Sequence, residues 1–151
     1  MKFTPNKINA FLFFKLPAAF LTGVRVFSLS DESAVVKVKY KWINQNPFRS
    51  MFWAVQGIAS ELSTGILVMK AIDQSGKKIS MLVTSMNAEF TKKATGKIYF
   101  ESNDGLLIKE TIKKAIETKT GQTIVLKSKG KNEEGVVVST FEYEWSLKVK
   151  A

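Results

Sequence analysis

The 151-residue chain contains no cysteine and no histidine. The first absence excludes disulfides, thiolate metal sites and cysteine nucleophiles. The second removes the usual general base, the usual zinc ligand and any Ser-His or Cys-His arrangement. Chemistry is left to carboxylates, hydroxyls, amides, lysines and backbone groups, with no metal and no cofactor expected. Acidic residues are in the minority, 13 against 23 basic, for a formal charge of +10. Such a surplus favours anionic partners: nucleic acid, anionic lipid or a phosphate-bearing molecule. The lysines are dispersed, however, with adjacent pairs only at Lys77-Lys78, Lys92-Lys93 and Lys113-Lys114, and the two arginines are Arg25 and Arg49. With no basic tail and no arginine cluster, nucleic-acid recognition is not expected.

Long uninterrupted apolar runs are also missing near the N-terminus. Phe11 to Val24 is apolar but broken by Lys15 and Pro17, without a clear cleavage site after it. That pattern fits neither a signal peptide nor a membrane span and predicts a short amphipathic helix ended or kinked at Pro17. A cytoplasmic protein is the expectation. Apolar residues make up 45% of the chain and charged ones 24%, which suits one globular domain over residues 1–151.

Period-two alternation marks a strand at Ala34–Trp42, where Val36, Val38, Tyr40 and Trp42 alternate with Lys37, Lys39 and Lys41. Asn44 to Pro47 reads as a turn, with Asn46 capping a helix whose first residue is Pro47. That helix, Pro47 to Ile72, is unusual. Between Met51 and Met69 its one charged residue is Glu61, and apolar residues occupy every face. A helix of this kind must be buried on most sides, wrapped by a sheet, because Glu61 and Gln56 argue against a membrane span. Gly57 and Gly65 would let something approach its backbone closely. Strands follow near Lys78–Phe90 and Thr95–Glu101. Gly105–Thr118 has apolar residues on one face, as a surface helix does. Strands at Gln122–Lys129 and Val137–Val149, joined by a turn at Asn132–Gly135, close the chain. The last is long enough that it should bend around the central helix.

The order of elements, and four segments within it, resemble a known family. Asn46-Pro-Phe-Arg-Ser-Met-Phe-Trp-Ala-Val-Gln-Gly-Ile-Ala-Ser-Glu61 is similar to the start of the central helix of the hotdog fold. Asn46, Ser50, Met51 and Phe52 resemble the N-x-x-G-T-M-F opening of a bacterial thioesterase-like branch, domain of unknown function 4442; Arg49 replaces its glycine. Ala88-Glu-Phe-Thr-Lys-Lys-Ala-Thr-Gly96-Lys-Ile98 resembles the strand pair of hotdog thioesterases. Phe14-Lys-Leu-Pro-Ala18 and Gly23-Val-Arg25 resemble the branch's lead-in. The resemblance implies an α+β hotdog fold, a curved antiparallel sheet wrapped around a central buried helix. It also implies a homodimer or dimer of dimers, with sheets joined edge to edge and pockets between subunits that accept acyl thioesters of coenzyme A.

By register, Glu61 falls where many active relatives keep a catalytic carboxylate, although Phe52, Trp53 and Ala54 stand where many carry H-G-G. Desolvation would raise its pKa and suit it as base or nucleophile toward a thioester. The alternative is a structural Glu61 paired with a lysine, or bonded to Gln56, Ser60, Thr64, or Asn87 across an interface. Candidate substrate-binding residues are Asn46, Gln56, Gly57, Ser60, Asn87, Lys92 and Lys93. Of these, Gln56 and Ser60 read more readily as helix-interface hydrogen bonders, and the lysines read equally as phosphate ligands or as guards of a strand edge. Two functions follow: an acyl-CoA thioesterase-like enzyme, or a non-catalytic domain that binds an acyl group or acyl-CoA.

Overall fold

The computed structural model describes residues 2–151. Thr4 caps the first helix, α1 (Pro5–Lys15), by accepting from the Lys7 N–H, with Pro5 in the first turn where its missing donor costs nothing. Pro17 ends that helix and opens a one-turn helix, α2 (Pro17–Leu21). Two strands follow, β1 (Arg25–Leu29) and β2 (Ala34–Lys39), then the long helix α3 (Trp53–Ser75). The remaining elements are β3 (Ile79–Phe90), β4 (Lys97–Ser102), α4 (Gly105–Thr118), β5 (Gln122–Lys131) and β6 (Val137–Val149).

The six strands form one antiparallel sheet in the order β1-β2-β4-β5-β6-β3. Alternation sorts its faces. Along β6, Phe141, Tyr143, Trp145 and Leu147 are buried toward α3, and the residues between them face outward. Bulges at Phe27, Thr84 and near Gly130 interrupt the ladders and help the sheet curl around the helix. This is the hotdog arrangement. The surface helix α4 lies against α3 through Ile108 and Ile112.

Three buried polar contacts seat α3 on the sheet. The Ser60 hydroxyl lies 2.7 Å from the Tyr143 hydroxyl, the Ser63 hydroxyl 2.7 Å from that of Ser128, and the Trp145 indole N–H donates to Thr64 Oγ1 at 3.0 Å. Gly65 completes the seat: a Cβ there would stand 3.3 Å from the Trp145 ring, so the bare backbone lets the indole approach the helix closely.

Three sequence expectations need correction. The strand predicted to reach Trp42 stops at Lys39, and Trp42–Asn44 is a turn of 3-10 helix closed by Asn44 Oδ1 accepting from the Lys41 N–H. The long helix begins at Trp53 rather than Pro47 and runs on to Ser75. The strand β1 was not anticipated. Its bulge at Phe27 breaks the alternation, and its anchor is the distant amide of Asn9, which exchanges two hydrogen bonds with the backbone of Val26.

Cutting one polar contact beneath α3 should cost more than removing both partners. Ser63→Ala leaves the Ser128 hydroxyl without its cross-element partner, at an expected cost of about 1–3 kcal/mol. The double variant Ser63→Ala/Ser128→Ala should recover part of that loss. Urea unfolding of the two variants and the parent checks the coupling.

Candidate active site

The segment from Lys41 to Phe52 folds back on itself before α3 starts. Gln45 and Met51 form an isolated antiparallel bridge, and the Phe52 N–H donates to Asn44 O at 2.8 Å. Asn46 does not cap α3. Its side-chain oxygen accepts from the N–H groups of Phe48 and Ser50, and its amide reaches Ser50 Oγ at 3.1 Å. An asparagine closing its own tight turn is an alternative to capping, and here the turn wins. Arg49 completes it with φ 62°, the left-handed region where a side chain is strained. This is the position at which the resembling motif has glycine.

With Asn46 used in the turn, the first turn of α3 has no side-chain cap and no acidic residue. The Val55 and Gln56 N–H groups donate to Phe52 O, while those of Trp53 and Ala54 have no partner among the described residues. Gln56 is buried beneath them. Its amide nitrogen donates to Met51 O at 3.4 Å, and its side-chain oxygen has no partner. A cavity of about 590 Å³ opens at this end of the helix, lined by Asn46, Phe48, Trp53, Gln56, Phe90, Lys92 and Lys93 among others. Unpaired amide groups and the positive end of the helix dipole favour an electron-rich oxygen here.

Trp53, Gly57 and Glu61 follow at intervals of four, on one face of α3 that the chain itself leaves uncovered. A Cβ on Gly57 would meet nothing within 4 Å. Glu61 is solvent-exposed on one side and borders a second, apolar cavity of about 200 Å³ formed with Leu16, Ile58, Leu62, Met81 and Trp145. Its carboxylate makes no ion pair or hydrogen bond among the described residues; only its backbone carbonyl is engaged, by Thr64. Desolvation by the apolar surroundings pushes its pKa above the ordinary 4.5. Burial, opposed by the Ser60 hydrogen bond and helped by the Glu61 charge, raises the Tyr143 hydroxyl to about 12, so Tyr143 stays neutral.

The structure thus brings Asn46, Gln56, Lys92 and Lys93 to one cavity and puts Gly57 between that cavity and Glu61. Ser60 is fully buried in its contact with Tyr143, which favours its reading as a helix-interface residue. Asn87 pairs in register with Glu142 and shares the sheet face away from α3. Lys93 donates to Phe48 O at 3.1 Å and ties the turn to the chain after β3; Lys92 is exposed. Sequence reasoning missed Trp53 and Ala54 as backbone donors, because the helix was expected to start six residues earlier. No cluster of potential metal ligands occurs among the described residues.

A family model described as a domain of unknown function, DUF4442, matches residues 6–147. The chain belongs to this family. Among solved structures, the fold is similar to that of a Pseudomonas aeruginosa protein of unknown function described as a probable thioesterase, with TM-score 0.82, 21% identity and 97% of each chain covered. A Chlorobaculum tepidum protein of unknown function matches with TM-score 0.80 and 15% identity over 97% of this chain and 98% of its own. A Haemophilus influenzae thioesterase matches with TM-score 0.74 and 11% identity over 99% and 93%. Comparison with curated proteins finds no match. At these identities the structural likeness establishes the hotdog fold.

Two stability measurements test the local readings. Arg49→Gly should raise stability by about 0.5–1 kcal/mol, because glycine adopts the left-handed conformation without strain. Thermal melting of the variant checks this. For Glu61, a carboxyl whose folded pKa lies above its unfolded value opposes folding once the pH exceeds the unfolded value. Glu61→Gln should therefore stabilise the protein at neutral pH, and the gain should vanish below about pH 4. Melting temperatures across that range test the sign.

Proposed function

We propose that this protein binds acyl thioesters, acyl-CoA among them, and hydrolyses them in a site completed by a second copy of the chain. The observation that carries this reading is the uncovered face of α3. It joins unpaired amide donors at Trp53 and Ala54 to an unpaired, desolvated carboxylate at Glu61.

In this reading the thioester carbonyl oxygen accepts hydrogen bonds from the Trp53 and Ala54 N–H groups, with Gln56 lining the same cavity. Glu61 takes a proton from water as the water oxygen attacks the carbonyl carbon. The resulting oxyanion is held by the same amides, the C–S bond breaks, and the thiolate recovers the proton. Alternatively, Glu61 attacks directly and forms a transient anhydride that water opens. Seven residues separate Ala54 from Glu61, a rise of about 10 Å along one helix. That is too far for both to act on one carbonyl. Two copies related by a twofold axis, with helices running oppositely, would bring Glu61 of each to the α3 N-terminus of the other. The exposed edge of β3, twelve residues long, supports such pairing, as does the resemblance to a fold that dimerises edge to edge.

Lys92 and Lys93 stand at the rim, where coenzyme A phosphates would lie. The second reading, acyl binding without hydrolysis, is favoured by the missing H-G-G pattern and by the bulk of Trp53 where many active relatives carry a glycine.

A thiol-release assay with acyl-CoA of graded chain length decides between them, and a chain without cysteine contributes no background thiol. Glu61→Gln should lower kcat by about a hundredfold or more with KM little changed. Equal turnover in the variant removes Glu61 from the mechanism. Saturable binding without thiol release in the parent supports the second reading. Replacing Lys92 and Lys93 by glutamine should raise KM for acyl-CoA and leave KM for the phosphate-free acyl-pantetheine unchanged.

A further inference from the structure

The loop between β2 and α3 carries large apolar side chains that the fold does not bury. Among thirteen residues from Lys41 to Trp53, five large apolar side chains stand in solvent: Trp42 at 81% exposure, Phe48 at 69%, and Ile43, Phe52 and Trp53 at roughly half. Exposed singly, such residues would need no explanation; crowded into one loop, they mark an interaction surface.

The charge within the loop itself has one sign. No aspartate or glutamate occurs between Ser33 and Ser60, whereas Lys41 and Arg49 lie within the loop. Lys92 and Lys93 adjoin it in space, Lys93 through its bond to Phe48 O. Arg49 occupies its turn at φ 62°, a conformation glycine would adopt freely, so a cation is carried at the tip at the expense of backbone strain. Tryptophan and phenylalanine beside basic residues is the chemistry of an anionic lipid surface. Aromatic rings partition into the headgroup region, and each nearby basic side chain strengthens attachment roughly fivefold.

We propose that the loop from Lys41 to Trp53 docks this protein on membranes containing anionic phospholipid. The attachment proposed is peripheral, through the loop alone, and no helix among the described residues is long and apolar enough to cross a membrane. Because Phe48, Phe52 and Trp53 also line the larger cavity, docking turns its mouth toward the lipid. The inference does not depend on hydrolysis.

Flotation with vesicles rich in phosphatidylglycerol, against vesicles of phosphatidylcholine alone, tests it on the intact protein without substrate. The expected result is binding to the anionic vesicles, weakened by salt, with a blue shift of tryptophan fluorescence. Trp42→Ser/Ile43→Ser, at exposed positions outside the cavity lining, should lose that binding while melting at the parent temperature. Lys41→Glu/Arg49→Glu should weaken it tenfold or more, roughly, by the same electrostatic scaling. Glu61→Gln should bind vesicles like the parent, which separates this result from failure of the thioesterase reading. No binding to anionic vesicles, or binding unchanged in Trp42→Ser/Ile43→Ser, overturns the proposal. So does sedimentation showing that the loop variants alter self-association and leave vesicle binding intact, since a second copy of the chain would then be what covers the loop.

Discussion

The contact on which the rest depends is the polar seat beneath α3. An apolar helix lying on an apolar sheet can slide or rotate at little cost, because hydrophobic contact is not directional. Ser60 against Tyr143, Ser63 against Ser128 and Thr64 against Trp145 remove that freedom. Each pair is buried and strongly prefers its partner to none. Together they fix the rotation of the helix, and hence the face on which Trp53, Gly57 and Glu61 are left uncovered. The orientation of the candidate active site is thus set by polar contacts beneath the helix.

Much of the fold was legible from pattern. Alternation located β6 and helical spacing located α4 at the residues observed, and the run between Met51 and Met69 marked the central helix. What failed did so for local reasons. Asn46-Pro47 has the chemistry of a helix start, but the asparagine amide is consumed by its own turn, so the helix waits until Trp53. The β1 strand hides because one bulged residue defeats a two-residue period and a side chain seventeen positions away supplies its partner.

The site was legible in part. One carboxylate in a long apolar helix drew attention to Glu61 without any structure. Composition could not show which neighbours it meets. Apolar residues on every face suggested burial on most sides, and the chain does cover all but one stripe, leaving the carboxylate at its margin. Nor could spacing show that Asn87 lies on the far face of the sheet. The bulge at Thr84 shifts the parity of every residue after it in β3, and a bulge leaves no mark in an alternation already mixed with serine and threonine.

The paired hydrogen bonds between Asn9 and Val26 have a consequence at a larger scale. An amide side chain satisfies, at the rim of β1, the backbone groups that another strand would otherwise seek, and the bulge beside it twists the rim away. The sheet therefore has one blunted border and one receptive border. In the proposed dimer, strand addition through β3 by a twofold-related copy would consume both receptive borders at once and leave the blunted ones outside. Growth would then stop at two, keeping a sheet rich in long strands from propagating into a fibre.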